Sequence, residues 1–250
     1  MFLKLFKRVI VWLLTIEARA VLLRHRPEII AVTGSVGKTS AKEAIWTLLK
    51  EHFDVWKSEK SYNSEIGVPL AILGLRSAWN SPIGWLQNLL LGFLKIFSPA
   101  HYPGIIVLEM GLDRPGDFDR LLGWVKPHIA VVTAIGKVPV HVEFFKDPEA
   151  LVLEKAKLPQ SVEKDGWCIL NSDDETVFAM ARKTSAGVLT YGFGRSARVR
   201  GSGFKVTIKR EKPEGIAFKI DCDGKSMPVR VSGIFGKQSA YALLAAAAVG

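Results

Sequence analysis

Cysteine is scarce in this 250-residue chain: only Cys168 and Cys222 occur, far apart and without a Cys-x-x-Cys spacing. Neither a disulfide framework nor a cysteine zinc site is therefore expected, and a reducing cytoplasm is the simplest compartment. Acidic residues are outnumbered, 24 Asp and Glu against 34 Lys and Arg, for a net charge of +10. Such a surplus suits a nucleotide, a nucleic acid or an acidic membrane surface, and charge alone does not choose among them. Long apolar runs are also lacking. The N-terminal "MFLKLFKRVIVWLLTIEARA" imitates an export signal, but its uninterrupted apolar run, Val9 to Leu14, is too short to span a bilayer, and Glu17 and Arg19 follow it closely. Residues 1–26 read instead as an amphipathic helix that covers the protein's own core or lies peripherally on a membrane, the latter permitted by Phe6 and Trp12 beside Lys4, Lys7 and Arg8. Hydrophobic residues, 48% of the chain, suffice for one large domain or two modest ones.

Apolar segments alternate with helical patterns. Ile29–Thr33, Gly104–Met110, His128–Ile135, Trp167–Leu170 and Gly187–Gly192 read as buried strands. Ala41–Phe53 reads as a helix with Ile45, Leu48, Leu49 and Phe53 on one face; "DFDRLLGWV" and "DPEALVLEKAKL" are further helices. The expected fold is α/β: a parallel, helix-covered sheet of the P-loop type, with ligand loops at the strands' C-terminal ends. Short alternating runs near residues 197–232, with Asp223-Gly224 as a hairpin turn, predict a small antiparallel β element. A last helix follows from Gly236. The apolar insertion from Trp79 to Phe97, carrying Trp85, Leu89, Leu90, Phe93 and Leu94, is expected as a packed helix, with a membrane or partner contact as the alternative.

The chemistry concentrates at Thr33-Gly34-Ser35-Val36-Gly37-Lys38-Thr39-Ser40, entered from a strand and left into a helix. The general phosphate loop requires glycine five positions before the Gly of Gly-Lys-Thr, and Val32 stands there. The remaining glycines still let backbone N–H groups converge on phosphate at a helix N-terminus, with Lys38 reaching the β and γ phosphates and the Thr39 hydroxyl binding Mg²⁺. Glu109 ends an apolar strand, where a carboxylate is costly unless paired or metal-bound. Asn171, Asp173 and Asp174 either cap the helix starting near Glu175 or contact a nucleotide.

This shortened cradle resembles the central ATPase domain of the Mur ligase family, and other segments follow in order from about Pro27 to Gly250. "YNSEIGVPLAIL" is similar to the family's Asn-rich loop, with Asn63 and Gly67-Val68-Pro69 retained. "VLEMG" resembles the strand whose glutamate binds Mg²⁺, which implies that role for Glu109. "KPHIAVVTAIGKVPVHVEFF" maps His141 onto the metal-binding histidine and Glu143 onto its neighbour. "EKAKL" resembles the segment of a carbamylated lysine, which would be Lys155, and "LNSDDE" a loop near the nucleotide, through Asn171, Asp173 and Asp174.

The resemblance implies ATP and Mg²⁺ as cofactors and carboxylate activation through an acyl phosphate, with Lys38, Glu109, His141 and Lys155 as catalytic residues. It looks closest to the branch that joins D-alanyl-D-alanine to UDP-MurNAc-tripeptide; nucleic acid is not an expected partner. A folylpolyglutamate-type ligase, or a noncatalytic nucleotide-binding module on a membrane or partner, is the alternative. Residues 27–250 would be the central ATP-binding domain alone, the family's uridine-binding N-terminal and C-terminal domains being absent from this span and supplied, if at all, in cis. The pattern departs at Lys155-Ala156-Lys157, where the family has Lys-x-Glu, and at Gln238, Ser239 and Ala242, where it has His-Asn and a later Asn.

Overall fold

A computed structural model describes residues 2–59, 65–98, 101–111, 114–136 and 144–250. The elements run α1 (Phe2–His25), β1 (Glu28–Thr33), α2 (Lys38–Leu49), β2 (Val55–Lys57), α3 (Gly67–Leu73), α4 (Pro82–Phe97), β3 (Ile105–Glu109), α5 (Asp117–Leu122) and β4 (Ile129–Val132). They continue with α6 (Pro148–Gln160), β5 (Trp167–Asn171), α7 (Glu175–Phe178), β6 (Gly187–Gly192), β7 (Val199–Lys209), β8 (Lys212–Cys222), β9 (Lys225–Ser232) and α8 (Lys237–Val249).

The strands form one sheet in the order β2-β3-β1-β4-β5-β6-β7-β8-β9. From β2 to β7 neighbours pair in parallel, and β7, β8 and β9 pair antiparallel. Parallel strands covered on both faces read as continuous apolar runs, and β1 is buried at every position after Glu28. Alternation along the strands divides the core. Ile29, Ala31, Ile106, Leu108, Ala130 and Val132 face the side holding α1, α3 and α5. Ile30, Val32, Val107 and Val131 face the side of α2 and α8, whose Ile45, Leu49, Leu244 and Ala245 are buried there. The antiparallel element is continuous with the main sheet: Tyr191 and Gly192 of β6 pair with Val199 and Arg200 of β7. Its turns are both left-handed pairs, Asp223-Gly224 as expected and Arg210-Glu211, which no glycine marks.

Two sequence readings shift in detail. In α2 the buried face is Ala41, Lys42, Ile45 and Leu49, while Leu48 and Phe53 are exposed, and Phe53 lies beyond the helix end. The insertion does form a helix, capped by the Ser81 side chain accepting from the Gly84 N–H with Pro82 in its first turn. It is packed on one side only: Trp85, Asn88 and Gly92 are buried, whereas Leu90, Phe93 and Leu94 are exposed. Helix α1 buries Ile10, Leu14, Ala18 and Val21 and packs against α3 and α4. Among the described residues, no helix is long and apolar enough to cross a membrane.

Candidate functional site

Strand order reverses around β1: the chain leaves it for β2 and β3 on one side and for β4, β5 and β6 on the other. The crevice beyond the C-terminal end of such a strand is where open α/β sheets bind ligands, and residues 34–37 fill it. Gly34 (φ 144°) and Gly37 (φ 87°) adopt backbone conformations that L side chains rarely take. A Cβ on Gly34 would lie 2.0 Å from Thr133 Oγ1, so close approach of the loop to β4 also demands glycine. The loop is pinned there. Ser35 N and Val36 N donate to Ala134 O at 2.7 and 3.1 Å. The Thr133 hydroxyl lies within donating distance of both the Thr33 and Val36 carbonyls, 3.0 and 2.8 Å. Helix α2 starts immediately after, with no side chain capping its N-terminus. Its first N–H groups and the helix dipole therefore face the crevice, as anion binding requires. Lys38 Nζ is 3.4 Å from Ser35 O, folded back over the loop.

Register brings the second group in. Val32 pairs with Glu109, so the last residue of β3 stands level with the start of the cradle. The Glu109 carboxylate, 2% exposed, accepts from Thr39 Oγ1 at 3.0 Å. Lys42 Nζ lies 3.5 Å from the same Glu109 oxygen. Lys42 is fully buried and finds no hydrogen-bond partner among the described residues; neither do the buried Thr33 Oγ1 and Ser35 Oγ. Buried polar atoms are nearly always bonded, so two unpartnered hydroxyls, and an ammonium held only through ion pairs such as that with Glu109, fit a site shaped for a polar ligand. Thr39 and Glu109 supply hard oxygen donors suited to Mg²⁺, which holds most of its waters and needs only one or two carboxylates. Lys42 escaped the sequence reading, although its signal was present: Thr39 and Lys42 are three residues apart and share a helix face.

Behind the cradle, α6 begins at Asp147, whose side chain accepts from Ala150 N at 2.7 Å. It carries Lys155, 3% exposed, whose Nζ donates to Gly34 O at 3.1 Å. Its neighbour Glu154 accepts from Gly116 N and Phe118 N at 2.9 and 3.2 Å, tying the start of α5 to the same helix. Lys157, where the family has glutamate, bonds Glu154 and Asp119, both at 2.6 Å.

The loop after β5 is a brace. Asp174 caps α7 through Thr176 N and Val177 N. Its other oxygen accepts from Ile135 N and Gly136 N, both at 2.8 Å. Asn171 is buried and accepts from Asp173 N at 3.1 Å. Asp173 holds the next loop, accepting from Phe193 N, Gly194 N and the Tyr241 hydroxyl at 2.6, 2.8 and 2.7 Å. That bond and burial push the Tyr241 phenol above its ordinary range, burial being the larger cause. Of the departures in α8, Gln238 is exposed, Ser239 Oγ bonds Phe235 O at 2.8 Å, and Ala242 is buried.

The structure thus brings together Thr33 to Ser40, Glu109 and Lys155. It sets Asn171 and Asp174 in the adjoining brace. Asn63, His141 and Glu143 lie outside the described residues.

Comparisons with known proteins agree with this fold. A family model described as the Mur ligase middle domain matches residues 88–250. The UDP-N-acetylmuramoyl-tripeptide–D-alanyl-D-alanine ligase of Mycobacterium leprae is 32% identical over 166 residues, which cover 66% of this chain and 27% of that protein. The ligase of the same name from Synechocystis is 28% identical over 220 residues, 88% of this chain and 40% of the relative. The chain thus spans well under half the length of these relatives. Among solved structures, Thermotoga maritima MurF ligase in complex with ADP is similar in fold, with a TM-score of 0.74 at 22% identity over 96% of this chain and 48% of that one. The cradle lies upstream of the segment that the family model matches, and the two are continuous in one sheet. The chain belongs to the Mur ligase middle-domain family.

Proposed function

We propose that this chain is the ATP-binding part of an ATP-dependent amide ligase of peptidoglycan precursor synthesis. The observation that carries the reading is the Thr39–Glu109 pair at 3.0 Å, set at an uncapped helix N-terminus behind a glycine loop with Lys38. In the reaction a substrate carboxylate oxygen attacks the ATP γ-phosphorus, the bond to ADP breaks, and an acyl phosphate forms. An amine then attacks the acyl carbon, phosphate leaves, and the amine's proton goes to solvent. The names of the relatives support UDP-MurNAc-tripeptide as the carboxylate and D-alanyl-D-alanine as the amine. They favour this branch over folylpolyglutamate synthesis.

The protein's task is positioning and charge stabilisation rather than covalent chemistry. The amides from Gly37 to Ser40 hold phosphate oxygens, and Lys38 swings from the Ser35 carbonyl to the γ-phosphate. Thr39 and Glu109, with His141, would hold Mg²⁺, which neutralises charge on the transferring group when bound. Lys42 balances Glu109 and fixes its carboxylate. Lys155 holds the Gly34 carbonyl and so the loop's shape; carbamylation would convert it to an anion facing the same crevice. ATP and a UDP-linked substrate fit a cytoplasmic protein. The greater length of the relatives supports a working unit in which residues 27–250 act with further domains supplied in cis.

The test is ADP release by the full chain, joined to any downstream domain, with both substrates present. Release that requires the carboxylate substrate supports the ligase; ATP binding without release under any such condition contradicts it. A second reading, a noncatalytic nucleotide-binding module seated on a membrane, is favoured by the exposed apolar side of α4. Flotation with anionic vesicles tests it, and failure to float removes it.

A further inference from the structure

An open groove of about 700 Å³ runs between α1 and α5. Volumes of this order suit small-molecule ligands. Its α1 wall is a single helical stripe, Arg8, Val11, Trp12, Thr15 and Arg19, with Lys7 alongside. The stripe is distinct from the buried Ile10, Leu14, Ala18 and Val21. Arg114, Arg120 and Trp124 form the opposite wall. The one carboxylate lining it, Glu65, is held by Arg120 Nε at 2.8 Å. Among the described residues, no carboxylate lies within ion-pair distance of Lys7, Arg8, Arg19 or Arg114. Four cations thus line one groove without counter-ions among the described residues, beside two indole rings.

The groove is placed to serve the cradle. Helix α1 hands over to β1 across Arg26 and Pro27, so its C-terminal end, where His25 stacks on Tyr102 at 4.6 Å, lies at the N-terminal edge of the sheet. The groove residues lie upstream on α1 and meet Arg114, which follows β3 by only a few residues and so sits at the same edge as Glu109. The start of α5 is bonded to Glu154, the residue before Lys155. From Lys7 to Arg19 the cations extend about 18 Å along the helix, the reach of an elongated ligand rather than a single phosphate.

We propose that this groove binds the pyrophosphate-bearing end of the carboxylate substrate, with Arg8 and Arg114 on the phosphates, Trp12 against the group attached to them and Arg19 further along the ligand. Clustered cations without counter-ions favour a polyanion, and exposed indole offers a flat apolar surface to a base, sugar or lipid stem. The chemistry recognised is a pyrophosphate ester, whether on a soluble nucleotide or on a lipid headgroup. The inference rests on the ligase reading for the identity of the ligand as substrate, whereas the groove's affinity is measured independently of turnover.

The experiment titrates the full chain with UDP while ADP and Mg²⁺ saturate the cradle, following heat and Trp fluorescence. A parallel arm measures sedimentation with phosphatidylcholine vesicles carrying a prenyl pyrophosphate, with phosphatidylglycerol vesicles as the control for charge alone. UDP should bind with ADP present, and Arg8→Ala and Arg114→Ala should each weaken it by about tenfold or more. Arg8→Lys should restore part of the affinity, and Lys38→Ala should leave UDP binding unchanged. Binding only to the prenyl pyrophosphate vesicles, with the same dependence on Arg8 and Arg114, assigns the groove to a lipid-borne pyrophosphate and supports the shared chemistry; equal binding to phosphatidylglycerol vesicles reports charge alone and overturns it. Arg8 is exposed, so its variants test the site without disturbing the core. No binding in either arm, binding indifferent to Arg8 and Arg114, or binding lost with Lys38→Ala overturns the proposal. Groove binding without substrate-dependent ADP release sinks the ligase reading alone. Release with groove-independent binding sinks the groove alone.

Discussion

The cradle edge and the outer face of α4 treat their side chains in opposite ways. At the cradle, polar groups are buried, some of them oriented, Thr39 on Glu109, Lys155 on Gly34 and Asp174 on Ile135 and Gly136, and others, Thr33 Oγ1 and Ser35 Oγ, without a partner among the described residues. On α4, large apolar groups stand in solvent, with Leu86, Leu90 and Phe97 at 68%, 59% and 63% exposure. A polar group out of water costs free energy unless it is bonded, and an apolar group in water costs it unless it is covered. Both regions therefore depart from the bulk of the molecule in a direction that a binding partner corrects. The departures differ in what they do to the isolated chain: cradle groups shape a site without supplying core, and the α4 face supplies neither.

The largest effect that sharpens this contrast is on the nucleotide. Lys38→Ala should weaken ATP binding by on the order of a hundredfold through loss of charged hydrogen bonds, with an unchanged melting temperature; calorimetry reads the first and a melt the second. Next comes Asp174→Ala, which removes the acceptor shared by the α7 cap and the loop after β4. Urea unfolding should show about 2–3 kcal/mol of lost stability, and a loss below about 0.5 kcal/mol would break the claim that this residue is a brace. On the other side of the comparison, replacing Leu90 and Phe93 together by Glu should shift stability by no more than about 0.5 kcal/mol, because both are exposed, and, if the unaltered chain floats with anionic vesicles, should abolish that flotation. Unfolding of that variant would show that the face is core after all.

The smallest effect concerns the seam between α1 and α4. Glu17 lies against Gly92, whose added Cβ would meet Glu17 Oε2 at 2.2 Å, and burial pushes the Glu17 carboxyl up to about 7 from 4.5. The folded chain then holds this proton more tightly than the unfolded chain, so stability falls as pH rises from about 4.5 to about 7 and is flat beyond. Glu17→Gln should raise the melting temperature modestly at pH 8 and leave it unchanged at pH 4. An equal shift at both pH values would place its cause in packing rather than in the proton.

The parallel half of the fold was legible because its strands are buried on both faces and read as plain apolar runs. The Asp223-Gly224 hairpin was legible for the same local reason, a turn pair free to adopt positive φ. The Arg210-Glu211 turn was not, since long cross-strand pairing holds two ordinary residues where local preference would not. The sequence does not tell the packed side of α4 from the exposed one, because hydrophobicity records which residues favour burial, not whether the fold brings anything to cover them. In the site, glycine spacing located the cradle. The partnership of Lys42 with Glu109 required the register of β1 against β3, a long-range pairing that no local pattern encodes.

The central claim is that the Thr39–Glu109 edge activates a carboxylate with ATP. The most direct measurement is ADP formation by the chain, with any downstream domain restored, as a function of UDP-MurNAc-tripeptide concentration at saturating ATP, Mg²⁺ and D-alanyl-D-alanine. The account predicts ADP release that rises with the carboxylate substrate, saturates, and disappears in Lys38→Ala and Glu109→Ala. Release that is absent, or that proceeds at the same rate without the carboxylate, contradicts it.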